Sequence, residues 1–208
     1  MDLETYLKQD SAAKYYVKDI NFKTKTESGI VFILESPHVK EIDKQKPLMG
    51  KTGKEVSKIL LNSEIPFGEL SDKLGVKIAI INVSNVPLQK IEKKENNTNY
   101  NDVIQIKDFE KFRDKDPDKE SEFFKNFEKR IKRYINQKNI LAVCGEFSNK
   151  YFFEVLNKNK GLMKKFLNKD IKVIQLPHPS YQSWSKIIKH YDSLMELKEA
   201  FFTLKNAI

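Results

Sequence analysis

Several polar side chains stand where short apolar runs of the chain come to an end. Glu35, Ser36 and His38 follow Gly29-IVFIL, and Asn82 lies at the end of Val76-KIAIINV. Glu146 follows Ile140-LAVCG, and His178 comes directly after Ile171-KVIQL-Pro177. A carboxylate can serve as a general base, and a hydroxyl can orient a water. A carboxamide offers both a donor and an acceptor, and an imidazole can donate from a ring nitrogen. Two of only 3 histidines fall at these ends. A lone loop histidine is more often surface than catalytic, so the weight rests on all four ends converging. Two other constellations fail on spacing. Gly50-Lys51-Thr52 mimics the close of a phosphate-binding P-loop, but Gln45 stands where that motif needs its first Gly, and no strand lies directly upstream. His178 and His190 lack companions at metal-ligand spacing, so no metal site is expected.

The four runs are nearly continuous rather than alternating, which is the pattern of strands buried on both faces in a parallel sheet. Apolar residues recur at helical spacing over Lys54–Leu61 and Phe123–Ile135, with further helices expected at Asn149–Leu156 and Ser185–Lys205. Strands alternating with helices predict an α/β domain with a central four-stranded parallel sheet between two helical layers. In such a sheet, ligands bind beyond the carboxyl ends of the strands, where the polar residues above fall. Residues 1–208 read as a single domain. A polar insertion around 90–119, rich in Asn, Asp and Lys, interrupts it as an exposed loop.

Composition limits the class. With 39% hydrophobic residues and 14 Phe, the chain has the bulky apolar content of a folded domain rather than a disordered one. One cysteine excludes a disulfide scaffold, a Cys₄ zinc site and a cysteine-held iron–sulfur cluster. No apolar run approaches the ~20 residues of a membrane span. The start, MDLETYLKQD, is too acidic and polar for a signal peptide. A cytoplasmic protein without membrane contact is expected. The net charge is +9, and residues 147–190 hold nine Lys against Glu154 and Asp170. Codon bias explains why 35 of the 38 basic residues are Lys, but not why acids are missing from this stretch alone. A phosphate-binding face is the better reading.

At this point the motifs resemble a known family. Glu35-Ser36-Pro37-His38, followed by Lys46-Pro47-Leu48-Met49-Gly50-Lys51-Thr52-Gly53, is similar to the first motif of the uracil-DNA glycosylase superfamily. The likeness is to the branch that reads Gly-Glu-Ala-Pro-Gly and then Pro-Phe-Val-Gly-x-Ala-Gly. Ile81-Asn82-Val83 is similar to that family's Asn-Val segment, and His178-Pro179-Ser180 to its His-Pro-Ser motif. The resemblance implies a DNA glycosylase that flips a nucleotide out of the stack and hydrolyses its N-glycosidic bond, leaving an abasic site. It implies that His178 stabilises the departing base anion and that Asn82 reads the Watson–Crick edge. Glu35 would activate the attacking water, with Ser36 as the second candidate for that role. His38 and Leu48 would border the base. Gly50, Lys51 and Gly53 at the start of the next helix, together with Ser180, Tyr181, Gln182 and Lys186, would contact DNA.

The departures are informative. Leu34 and His38 replace the two outer Gly of the first motif, and Leu48 stands in place of the Phe that stacks on the base. Losing that platform weakens stacking, worth ~1–3 kcal/mol in comparable contacts, and makes room for a substituted base. After His-Pro-Ser, some branches insert a Leu wedge. Here Tyr181, Gln182 or Trp184 would fill the gap, or Trp184 would anchor the last helix instead. The branch closest in its first motif holds an iron–sulfur cluster through four cysteines, which a chain with Cys144 alone cannot do. The expectation is a glycosylase without cofactor, acting on uracil or a modified pyrimidine in single- or double-stranded DNA. Its rivals are a catalytically silent DNA-binding member of the same fold and a nucleotide-binding α/β protein.

Overall fold

The computed structural model of the chain describes residues 15–22, 29–88, 115–136, 138–179, 184 and 191–206. Four strands form one sheet: β1 (Ile30–Leu34), β2 (Ile78–Asn82), β3 (Ile140–Cys144) and β4 (Lys172–Leu176). Their order is β2-β1-β3-β4, and every pairing is parallel. β1 and β2 are buried along their whole length, as continuous apolar runs require when both faces are covered.

Alternation along the strands splits the core in two. Val31, Ile33, Ala79, Ile81, Leu141 and Val143 meet α4 (Glu122–Lys132) and α5 (Glu146–Lys158) through Phe124, Phe127, Phe152 and Val155. Ile30, Phe32, Ile78, Ile80, Ala142 and Ile174 meet α2 (Lys51–Leu61), α3 (Phe67–Leu70) and α7 (Tyr191–Asn206) through Val56, Phe67, Leu197 and Phe201. This is the three-layer α/β architecture expected from the sequence. The chain runs from β1 to β2 on one face, then to β3 on the other. The reversal makes the space beyond β1 and β3 the topological switch point.

The strands fall within two residues of their expected bounds. Three helices escape the periodicity because each is short: α1 (Val39–Lys44), α3 and α6 (Lys160–Leu167). α6 nevertheless carries a readable start, since Asn159 Oδ1 accepts from Leu162 N at 3.1 Å. α2 begins three residues before the expected Lys54, at its Gly50 cap. The expected helix from Ser185 is present from Tyr191, and residues 185–190 lie outside the described set. Most of the 90–119 insertion also lies outside it, but its end, 115–119, is mostly exposed.

Candidate active site

Strand pairing brings the first two polar groups together. Leu34 and Asn82 are partners in the β1–β2 register. Past the ladder, Val83 N donates to Leu34 O at 2.7 Å and Ser84 N to Glu35 O at 3.0 Å. Glu35, Ser36 and Asn82 are thus held side by side at the carboxyl edge, and all three are buried, with Asn82 only 2% exposed. Ser36 Oγ accepts from Leu88 N at 3.4 Å, a long contact. The Asn82 carboxamide makes no hydrogen bond with any described residue. Buried amides are almost always paired with protein or water, so this one is open to a partner from outside the described residues. Period-two alternation puts Asn82 on the face of Ile78 and Ile80, the layer that also contains Leu34 and Leu48.

His178 is brought in from the other side of the sheet. Gly145 N donates to Leu176 O at 2.8 Å, tying the end of β3 to the end of β4. Gly145 has φ 91°, a left-handed conformation that favours glycine, and a Cβ there would lie 3.4 Å from His178 Cβ. The turn into α5 and the His178 loop therefore pack backbone to backbone. Asn149 Nδ2 donates to Gly145 O at 2.7 Å. Trp184 is buried and its indole N–H donates to Pro177 O at 3.0 Å. Of the two roles open to Trp184, its burial in the layer of Leu197 and Phe201 is that of an anchor for the last helix, and its indole also ties down Pro177 beside His178. His178 itself is half-buried.

A residue that sequence reasoning passed over organises the first motif. Glu41 is buried in α1 and its carboxylate collects backbone amides from both ends of the motif. Oε2 accepts from His38 N at 2.7 Å, Oε1 accepts from Leu48 N, and the Met49 amide adds a further bond. Burial pushes the Glu41 carboxyl up to about 7 although these amides pull it down. An acidic residue three positions after the helix cap was the signal that could have revealed it. The turn it holds is tight. Leu48 takes φ 56°, its carbonyl accepts from Gly68 N at 3.0 Å, and a Cβ on Gly53 would fall 1.7 Å from that carbonyl oxygen.

The expected base-bordering and DNA-contacting residues separate on this geometry. Leu48 is fully buried among Val56, Leu60 and Phe67, so its side chain is core in this conformation. His38 is exposed and opens α1. Gly50 caps α2, Lys51 is exposed on its first turn, and Gly53 is buried against the Leu48 carbonyl. Ser180, Tyr181, Gln182 and Lys186 lie outside the described residues. Most of the described lysines of this stretch are not gathered around the His178 loop. Lys150 lies one turn into α5, near the carboxyl edge, whereas Lys158, Lys160, Lys164, Lys165, Lys169 and Lys172 follow the chain through α6 to the start of β4. Parallel strands start at the opposite edge of the sheet, so sequence proximity to His178 does not make these lysines its neighbours.

Among the described residues, no group of three or more His, Cys, Asp and Glu is arranged to hold a metal ion, and no helix is long and apolar enough to cross a membrane. A four-cysteine iron–sulfur cluster does not fit this chain: Cys144 is the 1 cysteine, it is buried inside β3, and its thiol lies 3.6 Å from Ala142 O. Burial pushes that thiol well above its ordinary range, the reverse of a ligating thiolate. No curated protein matches the chain significantly. A family model, that of the uracil DNA glycosylase superfamily, matches residues 22–202, spanning all four strands and every polar strand end described above. With the sheet order, the first-motif turn and the His178 loop in place along that match, the chain belongs to the uracil DNA glycosylase superfamily.

Proposed function

We propose that the protein is a monofunctional DNA glycosylase that hydrolyses the N-glycosidic bond of a flipped uracil or modified pyrimidine. Membership of the superfamily supports a glycosylase type of function on DNA in general. The observation that carries the finer reading is the Asn82 carboxamide, buried beside Glu35 with its hydrogen-bonding groups unspent on any described residue. An amide in that state is suited to a ligand edge that alternates donor and acceptor, as the Watson–Crick edge of a pyrimidine does. Such an edge becomes available only once the nucleotide has left the stack.

The remaining groups then take roles by position. Asn82 and His178 sit on the two outer strand ends, three strand spacings apart in the order β2-β1-β3-β4. At about 4.8 Å per spacing, that separation brackets a nucleoside when both side chains reach inward. Bond cleavage leaves negative charge on the base and positive charge on the sugar. His178, held by the Gly145 and Pro177 contacts, supplies a fixed donor to the base anion. Glu35 lies between them and takes the proton of the attacking water, with the Ser36 hydroxyl orienting that water. Leu48, withdrawn into the core, offers no aromatic face, and the pocket relies on polar contacts for its selectivity.

Oligonucleotides carrying uracil or substituted pyrimidines, single- and double-stranded, test this. Alkali-cleavable abasic sites that disappear in His178→Ala and fall at least about 100-fold in Asn82→Ala support the enzyme. Salt-sensitive DNA binding with no cuts on any substrate replaces it with a silent DNA-binding member. Absence of DNA binding even at low salt leaves a nucleotide-binding protein.

A further inference from the structure

Arginine is rare in this chain: Arg113, Arg130 and Arg133 stand among 38 basic residues, the rest being Lys. An arginine's planar fork can hold two acceptors in one fixed geometry, which a lysine cannot do. Arg130 sits near the end of α4, with its side chain only 13% exposed. Its Nη1 donates to Asn82 O at 2.8 Å and its Nη2 to Val83 O at 2.8 Å. The same Nη1 pairs with Asp19, at 2.9 Å from Oδ2 and 3.1 Å from Oδ1, and Nε donates to Asn126 Oδ1 at 2.8 Å. Asp19 is itself buried and takes a further bond from Asn85 Nδ2 at 2.9 Å.

The location is what gives this network a consequence. β2 is an edge strand, whose outward carbonyls lack a ladder partner. Among the described residues, the segment before β1 meets that edge through its backbone at two points, the antiparallel Ile20–Ile80 bridge and the bond from Val17 N to Asn85 O at 2.8 Å. Between those points lie the carbonyls of Asn82 and Val83, and Arg130 with Asp19 fills the gap. The inner side of the same peptides is tied to β1 through Val83 N and Ser84 N. Asn82 is thus gripped through its backbone from both sides while its side chain makes no hydrogen bond with a described residue.

We propose that Arg130 is a positioning residue: by clamping the Asn82 and Val83 carbonyls, and by its ion pair with Asp19, it fixes the direction in which the Asn82 carboxamide is presented. This rests on the reading that Asn82 recognises the base. Lysine can keep the charge but cannot reach both carbonyls and the carboxylate at once.

The test uses the full-length protein with Arg130→Lys, and Asp19→Asn/Arg130→Gln as a second variant that leaves no unpaired buried charge. Two readouts are taken under conditions where circular dichroism shows each variant folded. Amide exchange at Val83 and Ser84 should accelerate at least about 10-fold over the wild type, while exchange in β3 stays unchanged. On a cleavable substrate, kcat should fall at least about 10-fold with substrate affinity within about twofold, because DNA backbone contacts are untouched. Unchanged exchange at Val83 and Ser84 in either folded variant overturns the clamp. Faster exchange with kcat unchanged overturns its role in presenting Asn82. A wild type that cuts no substrate defeats the glycosylase reading, and the exchange rates still decide the clamp.

Discussion

Glu41 offers the sharpest test of how the first motif is held. Its carboxyl is raised from the ordinary 4.5 to about 7 in the folded protein, since burial outweighs the amides of His38, Leu48 and Met49. A folded-state value above the unfolded one means that the native protein binds the proton more tightly. The associated stability is fully present below about pH 4.5 and is lost as pH rises through 7. A tenfold change in proton affinity is worth about 1.36 kcal/mol, so a rise from 4.5 to about 7 amounts to about 3 kcal/mol. Glu41→Gln removes the titration while keeping the shape. Urea unfolding, followed by the fluorescence of the buried Trp184, would be measured for both proteins from pH 4.5 to 8.5. Subtracting the two curves cancels every other ionisable group. The difference, wild type minus variant, should fall by about 3 kcal/mol across the window, with most of the fall between pH 5 and 7. Parallel curves would show that Glu41 titrates like a surface carboxylate and would refute its burial as the dominant influence. The constant offset between the curves is not diagnostic, because a Gln side chain also turns an NH₂ group toward amide donors.

Three further outcomes follow from the backbone and the charge layout. Gly145→Ala must hold φ 91° and push against the His178 loop, so it should cost ~1–3 kcal/mol and lower cleavage more than DNA binding. Gly53→Ala places a methyl 1.7 Å from the Leu48 carbonyl oxygen. It should destabilise by about 3 kcal/mol or more in thermal unfolding, and near-wild-type stability would contradict the turn geometry. Lys51→Glu/Lys54→Glu, on the first turn of α2, should weaken DNA binding about 10-fold or more and flatten its salt dependence by about two counterions. Lys164→Glu/Lys165→Glu on α6 should change binding by less than about threefold, and fluorescence anisotropy at several salt concentrations would expose the reverse order.

Much of the fold was legible because its signals are local. Continuous β-branched runs mark strands buried on both faces, and their hydrophobicity does not depend on which strand lies beside which. The helices with strong periodicity were readable for the same reason, whereas α1, α3 and α6 span too few turns to show a period. The likeness of the first motif, the Asn-Val segment and His178-Pro179-Ser180 to the superfamily rested on residue identity and order alone, and the family match now covers that whole stretch. The roles of individual residues were less accessible. Leu48 reads as a residue facing the base, yet the left-handed turn at φ 56° puts it in the core. Gly53 reads as a phosphate contact, and the structure also gives it a steric duty against the Leu48 carbonyl.

What composition and order determined by themselves was a four-stranded parallel α/β domain with polar residues at its strand ends, and one cysteine that excludes a four-cysteine cluster. Tertiary structure alone decided which of those residues are spent and which are left over. Asn82 and Arg130 are 48 residues apart, and only the packing of α4 against the edge of β2 lets a guanidinium hold two carbonyls there. The lysines of residues 147–190 form one cluster along the chain, but a crossover from β3 to β4 must travel from the carboxyl edge to the amino edge, and it carries most of them away from His178. Charge and hydrophobicity are properties of residues and can be read one at a time. Hydrogen-bond satisfaction and proximity belong to pairs, and distant pairs exist only once the chain has folded.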